Sequence, residues 1–194
     1  MKKSKGLFVC AFLGLAAIFL ISLPLFASPW ADIINTPSKR FKSALNGQAV
    51  VDMETGLVWP KVIYAELNNT VEIWAYAVEN CRNDFNAGRS GWRLPSVEEF
   101  RSLLVPASQP GFLTLPAGVF QIVDNQGNPV TAPGNYLFWT MTTDAGDSSN
   151  AIIVPLSLDL QGNFTLGGGT PASEKTNFRN HWCVRGGSGY DGGH

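Results

Sequence analysis

An uncharged apolar run from Leu7 to Leu23, preceded by Lys2, Lys3 and Lys5, confines the folding part of this chain to the residues downstream of it. Such a run enters a bilayer as a helix; Pro24 interrupts it, and Ala27 before Ser28 offers the small residue at which a signal peptidase cuts. Residues 1–27 read as a cleaved signal peptide. An uncleaved anchor stands as the alternative, because Leu7 to Ala27 approaches the roughly 20 residues of a spanning helix. No cysteine stands immediately after the cut, which argues against a lipid anchor. Either way the protein is exported, to the periplasm, the cell surface or the medium, and it meets the membrane only through this segment. Cys10 goes with the segment, so the exported part keeps only Cys81 and Cys183, which an oxidising compartment joins. Two free buried thiols are the alternative. The bridge closes a loop of about 100 residues, worth roughly 4 to 5 kcal/mol in the chain-entropy picture.

Cleavage removes three lysines, leaving 11 of 14 Lys and Arg against 15 Asp and Glu, a formal charge of −4. A mildly acidic domain lacks the cationic surface that phosphate backbones require, which excludes nucleic acid as a partner. Residues 28–40 carry two prolines and no apolar periodicity and read as a linker. The domain proper spans 41–187, and 188–194 form a tail without pattern.

Two apolar stretches flank Glu54-Thr55-Gly56 and predict a hairpin whose glycine takes a positive φ; Pro60 limits its second strand. Ile73, Trp74, Ala77, Val78 and Cys81 recur at three and four and predict a helix with Cys81 on its buried face, capped by Asn69 or Thr70 and ending before Gly88. Ser96 with Glu99 forms a capping box, so a second, short helix begins after Pro95 and ends at Pro106. The proline- and glycine-rich span 106–136 predicts long loops with a small hairpin around Asn125 to Gly127. Strands are expected at 136–142, 151–158, 164–167 and 181–186, with a turn over 159–163.

The order of these motifs resembles the Lcl C-terminal domain family. The matching residues are Arg40-Phe41, Asp52 followed by Thr55-Gly56-Leu57-Val58-Trp59, the helix with Ala77 and Cys81, Gly91 to Ser96 with Trp92, Arg93 and Pro95, then Glu99, Phe138-Trp139-Thr140, and Cys183-Val184-Arg185-Gly186-Gly187. The WRLP block and the terminal Arg185 and glycines are also similar to formylglycine-generating enzymes, distant relatives of C-type lectins. The resemblance implies an α+β, C-type-lectin-like fold: two helices on small antiparallel sheets, long loops, N- and C-terminal strands side by side, and a disulfide tying the first helix to the last strand. Cys81 and Cys183 occupy those two places. The motif residues are read as structural, Trp59 and Trp92 as core, and Arg93 and Arg185 as partners for carboxylates such as Glu99 or Asp52.

No catalytic residue is assigned. Formylglycine-type chemistry needs a redox-active cysteine pair, and both cysteines here serve the bridge. The two histidines, His181 and His194, make no triad with a glycine-flanked serine. No cofactor is expected, with calcium the one ion considered: Asp144, Asp147 and Asn150 supply oxygens in a polar loop, though not at EF-hand spacing. Gln109-Pro110-Gly111 only partly echoes a lectin calcium motif. Tyr136, Asn177, Phe178, Arg179 and Asn180 combine rings with planar hydrogen-bonding groups, as carbohydrate recognition requires, alongside Phe112, Phe120, Phe164 and Asn135. The expectation is a non-catalytic binding module for surface adhesion or recognition, with a glycan or a surface protein as partner. An enzyme with an unrecognised site and an envelope assembly protein are the rival readings. The named family implies an adhesin for sulfated glycans, which the −4 charge counters unless Lys39, Arg40, Lys42, Lys175 and Arg179 converge.

Overall fold

The computed structural model describes residues 37–67, 72–107, 112–160, 163–166 and 169–186. The N-terminal segment, the caps expected at Asn69 and Thr70, Gln109 to Gly111, Gly187 and the tail lie outside the described residues. No helix among the described residues is long and apolar enough to cross a membrane.

The structure is a mixed α/β arrangement of mostly short strands in three sheets, with two helices, α1 (Trp74–Asn83) and α2 (Val97–Ser102). The first sheet contains β1 (Phe41–Ala44), β2 (Ala49–Asp52), β3 (Val58–Pro60) and β5 (Trp92–Arg93), with the last strand β13 (Val184–Arg185) inserted between β3 and β5. All its pairings are antiparallel. The predicted hairpin is β2–β3: the Asp52 carbonyl accepts from the Gly56 amide, and Gly56 has φ +72°. Gly186 follows β13 at φ +84°, and a Cβ there would stand 3.2 Å from the Gly56 carbonyl oxygen, so the two glycines allow this close approach.

The second sheet is built on β10 (Asn150–Leu158). One edge pairs antiparallel with β9 (Gly134–Thr143), and the other is shared by β12 (Ala172–Glu174) near its start and β11 (Phe164–Leu166) near its end. β7 (Leu113–Thr114) and β6 (Val105–Pro106) extend the sheet beyond β11. The third sheet is a parallel pair of three-residue strands, β4 (Val62–Tyr64) and β8 (Gln121–Val123). Its second strand comes from the span expected to be loop. Three residues carry too little periodicity to announce a strand, and a long-range parallel partner leaves no local mark.

β9 is apolar on both faces because each face meets a different core. Successive side chains of a strand point to opposite sides. Phe138 joins an aromatic cluster with Phe100 of α2, Trp59 and Trp182, whose ring centroids stand 5.0 to 6.2 Å apart. Its neighbour Trp139 packs into the second cluster with Ala77 and Cys81 of α1, Trp92, Leu94 and Cys183.

Helix α1 begins later than predicted, at Trp74, with Ile73 in the cap position and no side-chain cap. The Trp74 amide is instead satisfied by the Lys175 carbonyl at 3.0 Å, a tertiary partner replacing a local one. Helix α2 has the predicted capping box, Glu99 N–H to Ser96 Oγ at 3.1 Å and Ser96 N–H to Glu99 Oε2 at 2.8 Å. The 181–186 segment is strand only at Val184–Arg185. Residues 181 to 183 are held by side chains, among them the Trp182 indole donating to the Pro60 carbonyl and the bridge from Cys183 to Cys81.

The disulfide joins α1 to the segment entering the last strand, across 102 residues. Arg93 forks onto Glu99 at 2.6 and 2.7 Å and also donates to the Gly186 carbonyl, so the WRLP block clamps the chain end to α2. Asp52 pairs with Arg40 rather than with Arg185, whose Nε donates to the Ser90 carbonyl. Arg40 is 3% exposed, which removes its guanidinium from any cationic groove. Lys175 lies over the Trp74 ring at 4.4 Å and donates to Thr143 and Ser148.

Candidate functional site

Where the C-terminal end of α1 faces β4 and the 181–183 segment, a groove of about 460 Å³ opens. This lies within the roughly 300 to 1,000 Å³ of small-molecule sites. The sequence Asn80-Cys81-Arg82-Asn83-Asp84-Phe85-Asn86 turns Cys81 into the core and puts Asn80, Asn83, Asp84 and Asn86 on the groove wall. On the opposite wall, the alternation of β4 buries Ile63 and leaves Val62 and Tyr64 outward, Tyr64 being 59% exposed. Glu66 and Asn125 border the groove, and His181, Trp182 and Cys183 line it as well.

Glu66 is held by Asn180, whose Oδ1 accepts from the Glu66 amide at 2.7 Å while its Nδ2 donates to the Glu66 and Leu137 carbonyls. The Glu66 carboxylate in turn accepts from the Asn125 amide at 3.0 Å, joining the two loops at the groove's edge. The side-chain amides of Asn83, Asn86 and Asn125 make no hydrogen bond among the described residues, so each keeps a donor and an acceptor for a ligand.

An ionisable cluster is built into this wall, with His181 and Asp84 in the lining and Glu72 behind them. The Glu72 carboxylate accepts from Asn80 Nδ2 at 2.6 Å and lies 3.3 Å from His181 Nδ1. That is ion-pair distance, yet the Glu72 Oε2 and His181 Nδ1 atoms have no well-aligned hydrogen bond and are shut off from solvent. Burial lowers the His181 pKa, against the pull of Glu72 and Asp84, so the imidazole favours its neutral form. Burial raises the Asp84 carboxyl above its ordinary value, opposed by the Asn86 amide, by His181 and by the Phe85 amide. The lining thus combines carboxylates, amides and one imidazole, with no lysine or arginine among its residues.

The residues singled out from sequence fall elsewhere or serve other ends. Tyr136 is 1% exposed, donates its hydroxyl to the Ala132 carbonyl and packs edge-on to Phe164 at 5.6 Å. Asn180 is fully buried as the Glu66 clamp. Neither can reach a ligand in solution, because a ring and an amide of the right chemistry serve the core equally well. Asn177 donates to Ser173 Oγ; Phe178 is exposed; Arg179 Nη1 donates to the Phe178 carbonyl while burial lowers its pKa. Trp59, Trp92 and Trp139 are buried, with the Trp92 and Trp139 indoles donating to the carbonyls of Arg89 and Glu72. Pro95 is buried, and its carbonyl accepts from the Met141 amide.

In the 144–150 loop, Asp144 accepts from the Gly146 amide, and Asp147 accepts from the Ser149 amide and hydroxyl. The carboxylates close their own turns, the ordinary use of aspartate in such loops. Among the described residues, the group whose ligand atoms come together is Cys81, His181 and Cys183, within 4.8 Å of one another. With the disulfide closed, its sulfurs are bonded to each other. The groove residues Glu66, Asn83, Asp84, Asn86 and Asn125 were not singled out from sequence. The run of Asn80, Asn83, Asp84 and Asn86 at the end of the predicted helix is the one local signal for part of that wall, and it was not used.

The model of the Lcl C-terminal domain matches residues 48–185, well over half of the chain. No curated protein and no solved structure matches it. The matched span takes in the hairpin, both helices, the two bridged cysteines and the clamp around Glu99, and the chain belongs to the Lcl C-terminal domain family.

Proposed function

We propose that this protein is an exported, non-catalytic binding module, C-type-lectin-like in architecture, that recognises carbohydrate at a surface through the groove beside α1. The observation that carries the reading is the lining of that groove: an exposed Tyr64 ring on one wall and the unengaged amides of Asn83, Asn86 and Asn125 around it. A sugar ring offers an apolar face to an aromatic ring and hydroxyl pairs to planar amides. The disulfide fits an extracellular, oxidising setting and leaves no thiol in the domain for formylglycine-type chemistry. The acidic lining, with Glu66 and Asp84, favours neutral sugars over sulfated ones.

The test is a glycan array covering neutral and sulfated sugars, followed by titration of the best hit against Tyr64→Ala and Asn86→Ala. Selective binding to neutral glycans, weakened at least about tenfold by each substitution, is expected from the loss of a stacking or hydrogen-bonding contact of about 1.4 kcal/mol. Background signal for every sugar, or affinity untouched by both substitutions, would remove the carbohydrate reading.

A further inference from the structure

Cys81 lies on the buried face of α1, and Cys183 and His181 stand two residues apart in the segment that enters β13. This brings two sulfurs and an imidazole nitrogen within 4.8 Å of one another. Every disulfide is preceded by a dithiol, and in that state the same three residues form a set of two thiols and an imidazole. Sulfur and nitrogen donors in this number suit zinc, which takes thiolate at about 2.3 Å and imidazole at about 2.0 to 2.1 Å in a tetrahedron. Ligand atoms around one such ion stand about 3.5 to 3.8 Å apart, within reach of the present spacing by side-chain rotation. The Glu72 carboxylate stands 3.3 Å from His181 Nδ1, beside the ring where carboxylates stand next to metal-bound histidines, though without a well-aligned hydrogen bond to it in the disulfide form. His181 and Cys183 both line the groove, which gives an ion a path to them from solution.

We propose that the dithiol form of this protein binds one zinc ion through Cys81, Cys183 and His181, and that the ion makes the link from α1 to the last strand that the disulfide makes after oxidation. The chemistry balances. A dithiol reductant gives two electrons to the disulfide and closes its own, two protons complete the Cys81 and Cys183 thiols, and zinc displaces both as it binds the thiolates. In the other direction, a disulfide oxidant takes two electrons from the thiolates, Cys81–Cys183 closes and the zinc leaves. A single link thus holds the helix to the chain end in both redox states, by metal in one and by covalent bond in the other.

The full chain, reduced with a dithiol and freed of it without oxygen, is titrated with cobalt and then zinc. One equivalent of cobalt should bind with an intense thiolate-to-cobalt charge-transfer band that zinc abolishes, and the oxidised chain should show no band. His181→Ala, which still forms the disulfide when oxidised, should bind cobalt at least about tenfold more weakly when reduced. No such band in the reduced chain, or equal affinity in His181→Ala, overturns the proposal. Should reduction unfold the chain, excess zinc must restore the native circular dichroism, since binding is then folding free energy. A chain that stays unfolded in zinc overturns it equally.

Discussion

Asp52 accepts hydrogen bonds from Arg40 Nε at 2.8 Å and Arg40 Nη2 at 2.7 Å, from Thr55 Oγ1 at 2.9 Å and from the Glu54 amide at 3.1 Å. Its side chain is 0% exposed and that of Arg40 4%, so the pair is buried. Asp52→Asn keeps the shape and removes the charge, leaving a guanidinium without its counterion. Breaking one side of a buried pair costs about 3 to 5 kcal/mol. Glu54 Oε2, 3.1 Å from Arg40 Nε and 35% exposed, retains some compensation, which puts the cost near the lower end, about 3 kcal/mol. In a domain of this size that lowers the melting temperature by about 6 to 12 °C. Urea and thermal unfolding of Asp52→Asn, Arg40→Met and the double variant Arg40→Met/Asp52→Leu complete the experiment. An apolar pair of similar volume leaves no unpaired charge, so the double variant should lose less than the sum of the two single variants, although the Ser102 carbonyl, the Thr55 hydroxyl and the Glu54 amide all lose a partner. A cost below about 1 kcal/mol for Asp52→Asn, or a double variant as unstable as the sum of the singles, would refute the argument that an unpaired buried charge is the cause.

Replacing both Cys81 and Cys183 by alanine removes a link across 102 residues, for which loop-closure entropy gives about 4.7 kcal/mol; urea unfolding should show a loss of that order, and one under about 1 kcal/mol would mean that packing of α1 already holds the ends. The acid limb of stability should depend on Glu99: burial alone would raise its carboxyl, but Arg93 and the Ser96 amide and hydroxyl outweigh it and hold the folded value below the ordinary 4.5. The unfolded chain therefore takes up a proton first as pH falls, so the stabilisation is full above about pH 4.5 and is lost as pH drops through the folded value. The stability difference between the wild type and Glu99→Gln, followed by urea unfolding from about pH 6 to about pH 2, should shrink toward acid; a difference that stays constant would contradict the pairing.

Features carried by neighbouring residues were legible in the sequence. The Ser96–Glu99 capping box, the Gly56 turn and the apolar face ending in Cys81 each depend on a few adjacent positions, where backbone geometry fixes what the side chains can reach. The disulfide was legible for a different reason: the chain after the apolar segment has two cysteines, and chemistry allows them one intramolecular partner each. Polar composition, by contrast, carries no direction. Tyr136 and Asn180 have the chemistry of a sugar site but were turned inward, because β9 is covered on both faces and the Glu66 backbone needed a partner. The groove lay beyond the sequence because its walls come from 60–66, 80–86, 125 and 181–183, brought together by a parallel pairing of three-residue strands and by the bridge. Local rules thus determined the helices and the hairpin, and the count of cysteines the cross-link, while long-range packing alone decided which polar groups face solvent together, since that depends on what covers each face rather than on what stands next to it in the chain.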